Sequence, residues 1–500
     1  MMKRLALAIL LSTSLSPAAL AADDVFVVAA PFEIKGADPS LSGDIFLKMD
    51  IAETLVNADT AGHLQPGLAE SWSVSDDGLN WRFDLREGVT FHDGSPFTAS
   101  TAAAALDIAR AKKGLLSNAP ITSITADGAD LVISLSEPFA ALPAFLAEYR
   151  SQILAPRAYG PDGMATSVIA TGPFKVTDMQ APLSLRTERN EAYWGAKPAI
   201  ARASYSAIGR AETRALMAES GDADFVFNLD PASVQRLASV DQVGIHSVSI
   251  PRTLMLKLNA ADPHFDTVAE RKALSLAIDR AGLASAVLRY PAAADQMFPP
   301  AMAQWHQAGT SPLGFDPEAA KALLAQEGWM PGADGILEKD GDRFEVELLT
   351  YPDRPELPLV AAVLEQMFAD VGIKAVINST NFSEIPAKHA DGTLQMALFA
   401  RNFGLVPDPI GTLLQDYAPG GDWGAMGWEN AELTGLVDKL ASGTGTDEDR
   451  ARVSSILNDQ LPVIPIAWYQ QTAAVSKAVT GVVIDPYERS FGLRGMSFAQ

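Results

Sequence analysis

The apolar run Met396-Ala397-Leu398-Phe399-Ala400 ends directly in Arg401-Asn402-Phe403-Gly404. In an open α/β sheet the ligand crevice lies outside the carboxyl ends of the strands, so these residues stand where chemistry is done. Arg401 offers a bidentate grip on a carboxylate, Asn402 one donor group and one acceptor, and Phe403 an apolar face. The competing reading pairs Arg401 with a nearby acid such as Asp408 for structure. Tyr149-Arg150 precedes a second apolar run, Ile153-Leu154-Ala155, where Arg150 could face a cleft from the opposite side or lie exposed at a strand start. Tyr417, Trp423 and Trp428 surround the glycine-rich stretch 420–424, and aromatics on such a loop line a pocket or anchor the loop in the core. A ligand with an amino end would need an acid, for which Asp408, Asp416 and Asp422 are the candidates.

Enzyme chemistry finds little support. The chain has no G-x-S-x-G elbow, no Walker A loop and no H-E-x-x-H motif. Its six histidines are scattered, with none three or four residues from another, so a preformed imidazole-rich metal site is not indicated. The chain has no cysteine, which removes disulfides, thiolate metal sites and thiol nucleophiles together. A formal charge of −23 argues against nucleic acid or an anionic membrane surface as partner, since both need basic patches.

The elements that must position these residues read as two α/β lobes. One strand–helix–strand unit runs through 203–208, 212–220 and 224–227, and a second through 344–349, 359–371 and 373–377. Each unit predicts a parallel strand pair with a right-handed crossover. Alternation in Trp81–Leu85 and Leu131–Leu135 predicts an antiparallel β-rich piece in the first half, and Glu270–Leu288 reads as one helix. The runs Thr253–Asn259 and Val463–Tyr469 read as strands that cross between lobes, which makes a cleft with a hinge. At the start, Met1-Met2-Lys3-Arg4, an apolar middle and Ala19-Leu20-Ala21 form a secretory signal peptide. Cleavage is expected after Ala21, releasing the chain into the periplasm. The expected domains are residues 1–21 as signal peptide, 22–252 plus 476–500 as lobe I with a β-rich subdomain at about 46–168, and 253–475 as lobe II.

An ordered set of motifs ties the chain to a family. It comprises Leu68-Ala69-Glu70-Ser71-Trp72, the stretch Asp76–Gly94, Thr171-Gly172-Pro173-Phe174, Arg189–Gly195, Arg271-Lys272-Ala273-Leu274, Ala277–Arg280 and Asp316–Leu324. In order and spacing these resemble the extracytoplasmic solute-binding proteins of dipeptide/oligopeptide/nickel ABC importers, family 5, over nearly the whole chain after Ala21. The resemblance implies an α/β, two-lobed periplasmic-binding-protein clamshell of type II, with the β-rich subdomain in lobe I. It also implies a non-enzymatic role: a monomer that captures a small molecule and delivers it to ABC permease subunits. Within the family the chain looks most similar to nickel and metallophore binders. Arg150 falls about where these hold a carboxylate, and Arg401–Pro409 where they place further contacts. The tryptophan that stacks on the chelate in nickel binders is replaced by Gly114 or Leu115. Phe403 and Pro407 stand in place of a tryptophan and a tyrosine, and the downstream histidine is missing.

The expectation is therefore a periplasmic solute-binding protein with no catalytic residues and no metal site of its own. Its ligand would be a small carboxylate-bearing solute, foremost a metal–chelate, either a nickel complex or an opine-type metallophore complex, with nickel, cobalt, zinc or iron as the metal of the chelate. A di- or oligopeptide is the alternative and a secreted hydrolase the remote one. Arg150, Tyr149, Arg401, Asn402, Phe403, Asp408, Tyr417 and Trp423 are the expected ligand contacts.

Overall fold

The computed structural model describes residues 25–499 apart from 353, 355, 405, 407, 419, 420 and 422. The signal-peptide reading of residues 1–21 and the candidates Pro407 and Asp422 lie outside the described residues. No helix among the described residues is long and apolar enough to cross a membrane.

A ten-stranded mixed sheet runs through both lobes. Its second-lobe side is parallel: Glu345–Thr350 lies between Lys374–Ser379 and Met396–Asn402 and is parallel to both. Helix Glu356–Ala369 makes the crossover between the first two, burying Leu357, Val360, Ala361, Leu364 and Phe368. The predicted elements of this unit are all present.

The first-lobe unit differs from expectation in one respect. Strands Arg202–Ala207 and Phe225–Phe227 are present, as is helix Ala211–Ser220, but the two strands are not neighbours. Strand Val25–Ala30 is inserted between them, parallel to both. Its sequence VFVVAA is short and mostly buried, and it shows no alternation that would distinguish it from a signal-peptide flank.

The expected helix over 270–288 is also broken. It divides into Val268–Leu276, Arg280–Leu283 and the π turn Ala284–Leu288. The break falls where the Asp279 carboxylate accepts a hydrogen bond from the Gly282 amide at 2.8 Å and starts a new helix.

Two long antiparallel strands, Val243–Leu258 and Val463–Ser476, join the lobes and extend well beyond the predicted crossing runs. From Ile250 to Leu258 the first of them is buried at every residue, as expected for a strand covered on both faces. Its regular pairing lapses between Ser249 and Thr253, where Ile250, Pro251 and Arg252 face the partner strand between Trp468 and Gln470. Proline has no amide to donate, and such a bulge turns side chains out of the ladder.

The β-rich piece is a four-stranded antiparallel sheet with Asn80–Leu85 and Asp130–Leu135 at its centre. Strand Asn80–Leu85 alternates exposed and buried throughout, as predicted. This piece also touches the second lobe. The Ala140 amide donates to the Ala441 carbonyl at 2.8 Å, and a Cβ placed on Gly411 would stand 2.8 Å from the Phe145 ring.

Candidate functional site

The carboxyl ends of the parallel strands in both lobes converge on one cleft. Pro31 and Phe32 follow Val25–Ala30, Gly209 follows Arg202–Ala207, and Asn228 follows Phe225–Phe227. From the other side come Tyr351, Arg354 and Glu356 after Glu345–Thr350, and Ala400 on Met396–Asn402. They enclose a cavity of about 680 Å³. A second cavity of about 180 Å³ adjoins it and shares Phe32, Asn228 and Arg354. The β-bulge brings Arg252 to the smaller cavity and leaves the opposing Tyr469 on the larger one.

The smaller cavity is a cationic recess in an acidic protein. Lys48, Arg252, Arg354 and Arg489 line it, against the two carboxylates of Asp44 and Glu488. Arg252 pairs with Glu488, and Lys48 lies 3.6 Å from Asp44. Arg354 and Arg489 form no ion pair with a carboxylate among the described residues. Arg354 reaches the Tyr469 hydroxyl, at 3.5 Å, lies over that ring and interacts with the Tyr351 hydroxyl. Arg489 donates to the Ala147 carbonyl and to Asn57 Oδ1, while its buried Nε has no hydrogen-bond partner. Burial pulls the Arg252 guanidinium below the usual arginine range; Glu488 opposes that, and the neighbouring charge of Arg354 adds to it. Burial pushes the Glu488 carboxyl up, but Arg252, Lys48 and Arg354 together hold it below the ordinary carboxylate range. The recess thus has more cations than anions, and two of the cations form no ion pair among the described residues.

The eight residues singled out from sequence divide. Tyr149 and Asn402 line the cationic recess. Asn402 Oδ1 also accepts from the Gly404 amide at 2.8 Å, which fixes its orientation. Gly404 is needed there, because a Cβ would stand 2.9 Å from Pro251. Arg150 donates to the Tyr149 hydroxyl at 2.7 Å and lies 3.7 Å from Glu148. Its side chain lines a separate shallow pocket with Asp38, Lys112 and Tyr159.

Arg401 is buried and makes a bidentate pair with Asp416, at 2.7 and 2.5 Å, and donates to Gln415. Its partner is Asp416 rather than Asp408. Asp408 instead accepts from the Ile410 amide at 2.9 Å, just ahead of helix Ile410–Tyr417. Phe403 is fully buried and packs edge-on to Phe298 at 5.2 Å. Tyr417 is buried beside Met297 and Trp428. Trp423 stacks on Phe382 at 4.9 Å, and Phe382 in turn lines the larger cavity.

Arg252, Arg354, Lys48 and the segment Tyr487-Glu488-Arg489 were not anticipated. A signal for one of them existed. Tyr351 and Arg354 follow strand Glu345–Thr350 as Arg401 and Asn402 end theirs, so the strand-end argument applies equally to both loops. Among the described residues no group of three or more His, Asp or Glu side chains is placed to hold a metal ion.

This geometry agrees with comparisons to known proteins. The sequence pattern described as bacterial extracellular solute-binding proteins, family 5 Middle, matches residues 63–423. The nickel-binding periplasmic protein of Escherichia coli K12 is 28% identical, with 93% of each chain covered. The glutathione-binding protein GsiB of Salmonella typhi is 27% identical, covering 94% of this chain and 93% of its own. The crystal structure of NikA from Brucella suis in complex with Fe(III)-EDTA superposes with a TM-score of 0.84 at 23% identity, over 95% of this chain and 99% of that one, a likeness of fold. Two lobes joined by paired strands, a cleft at the strand ends and a match across most of the sequence lead to one conclusion: this chain belongs to the bacterial extracellular solute-binding proteins of family 5.

Proposed function

We propose that this solute-binding component of an ABC importer closes its two lobes over a carboxylate-bearing solute in the periplasm, acting as a monomer and not as an enzyme. The observation that carries the reading is the recess where Arg354 of the second lobe and Arg489 of the first form no ion pair among the described residues. Closing the empty cleft gathers like charges, whereas an anion held between them favours the closed form. Water exclusion strengthens both contacts. Lobe I is taken as residues 22–252 plus 476–500 and lobe II as 253–475, with the hinge in the crossing strands around the Ser249–Thr253 bulge.

The leading ligand is a metal–chelate, in which nickel, cobalt, zinc or iron arrives already coordinated and the protein grips the chelator's carboxylates. The likeness to the nickel-binding periplasmic protein supports it. A short peptide is the second reading, supported by a larger cavity of about 680 Å³ and by the glutathione-binding relative. Native mass spectrometry of protein purified from the periplasm without refolding, paired with metal analysis, tests both. A single copurified mass containing metal is the expected result. Heterogeneous metal-free masses of peptide size would move the assignment to the second reading.

A further inference from the structure

The two adjoining cavities differ in kind. The smaller is charged, as described. The larger is walled by rings: Phe32 from the first lobe, with Tyr290, Tyr351, Phe382 and Tyr469 from the second. Phe382 is stacked on Trp423 at an interplanar angle of 21° and meets Tyr351 edge-on at 4.9 Å, yet it remains 39% exposed. A ring held on one face and at one edge, and still open to the cleft, is a rigid platform for another flat group.

The charged groups around this larger cavity are mostly engaged elsewhere. Arg214 donates to the carbonyls of Ile208, Gly209, Phe227 and Asn228. The Asp230 carboxylate caps helix Pro231–Leu237 through the amides of Ala232 and Ser233. Arg289 donates to Gln235 at 2.9 Å. Glu356 is a further acid of this wall; burial pushes its carboxyl upward, and its buried Oε1 has no hydrogen-bond partner among the described residues. Arg214, Asp230 and Arg289 thus each have hydrogen-bond partners within the chain.

We propose that the solute is an amphipathic dianion, with both negative charges in the recess of Arg354 and Arg489 and an uncharged, ring-bearing body between Phe382, Tyr469 and Phe32. The inference rests on the anion-capture reading above and adds the chemistry of the body. Two unpaired guanidiniums match two negative charges. Aromatic walls favour a flat apolar body over a sugar or a polar chain, because burying polar groups without partners is costly.

The test uses two probes of equal charge, succinate and 2-benzylsuccinate, titrated calorimetrically into the wild-type protein and into Phe382→Ser and Arg354→Gln variants. The expected result is binding of 2-benzylsuccinate at least about tenfold tighter than succinate, with the difference lost in Phe382→Ser and both probes weakened in Arg354→Gln. Equal wild-type affinities that still depend on Arg354 would overturn the amphipathic assignment and leave anion capture standing. Indifference of both probes to Arg354→Gln, or no binding of either probe, would overturn anion capture and this inference with it. Thermal unfolding of each variant separates loss of a contact from loss of the fold.

Discussion

The segment 401–417 and the recess around Arg354 contain the same kinds of residue and are in opposite states. In the first, Arg401 pairs with Asp416, Phe403 is sealed against Phe298, and Asp408 accepts from the Ile410 amide. In the second, Arg354 and Arg489 line a cavity and form no ion pair among the described residues. Residue type does not distinguish a ligand contact from a structural one. The pairing state does, because a charge left unpaired beside a cavity needs a partner from outside the chain.

The largest effect expected from this contrast belongs to the closed region. Arg401→Ala breaks the buried bidentate pair with Asp416, so unfolding should become easier by about 3–5 kcal/mol, read as a lower chemical denaturation midpoint. An unchanged midpoint would show that Arg401 is not structurally committed. Arg354→Ala should do the reverse. Its side chain is half-buried and unpaired, so stability should hold while affinity for the copurified ligand falls by about 2–4 kcal/mol on calorimetric titration. Loss of stability with unchanged affinity would erase the distinction between the two regions.

His92 extends the contrast to pH. Burial lowers its pKa from 6.5 to about 4, and its ring sits between the Gly172 carbonyl and the Ala170 amide, which suits a neutral imidazole. Between those pH values the unfolded chain takes up a proton that the folded chain does not. Stability should therefore fall as pH drops through that window, by up to about 3 kcal/mol. A His92→Gln variant should show a shallower dependence over the same range; an identical slope would assign the acid sensitivity elsewhere. The smallest effect is expected at Arg150, whose guanidinium is engaged by Tyr149 and Glu148 and lines a different pocket. Arg150→Ala should leave ligand affinity within about threefold. A loss of tenfold or more would place Arg150 among the gripping residues, as the family resemblance implied.

Much of the fold was legible because its signals are local. Strand Glu345–Thr350, helix Glu356–Ala369 and strand Lys374–Ser379 announce themselves by alternation, helical spacing and Gly372. Strand Val25–Ala30 does not, since a uniformly apolar hexapeptide has no period to read. The candidate site was legible only where a strand end marks it, as at Asn402. Arg252 reaches the recess from a bulge that depends on register with a strand more than 200 residues later, and Arg489 from a carboxyl-terminal segment packed against Ala147. Neither arrangement is encoded in nearby residues. Arg401 shows the converse: its position was read correctly at a strand end, but its commitment to Asp416 depends on how helix Ile410–Tyr417 folds back.

The bulge at Pro251–Arg252 gives capture an order in time. Arg252 is carried by one of the two strands about which the lobes would swing, whereas Arg354 and Arg489 ride on the lobes themselves. Because Glu488 already pairs with Arg252, the axis would act as a neutralised pivot, and on the proposed reading an arriving anion would meet the guanidiniums on the arms first. Encounter and commitment then become separate events. The first depends on diffusion and ionic strength, the second on how quickly the arms come together.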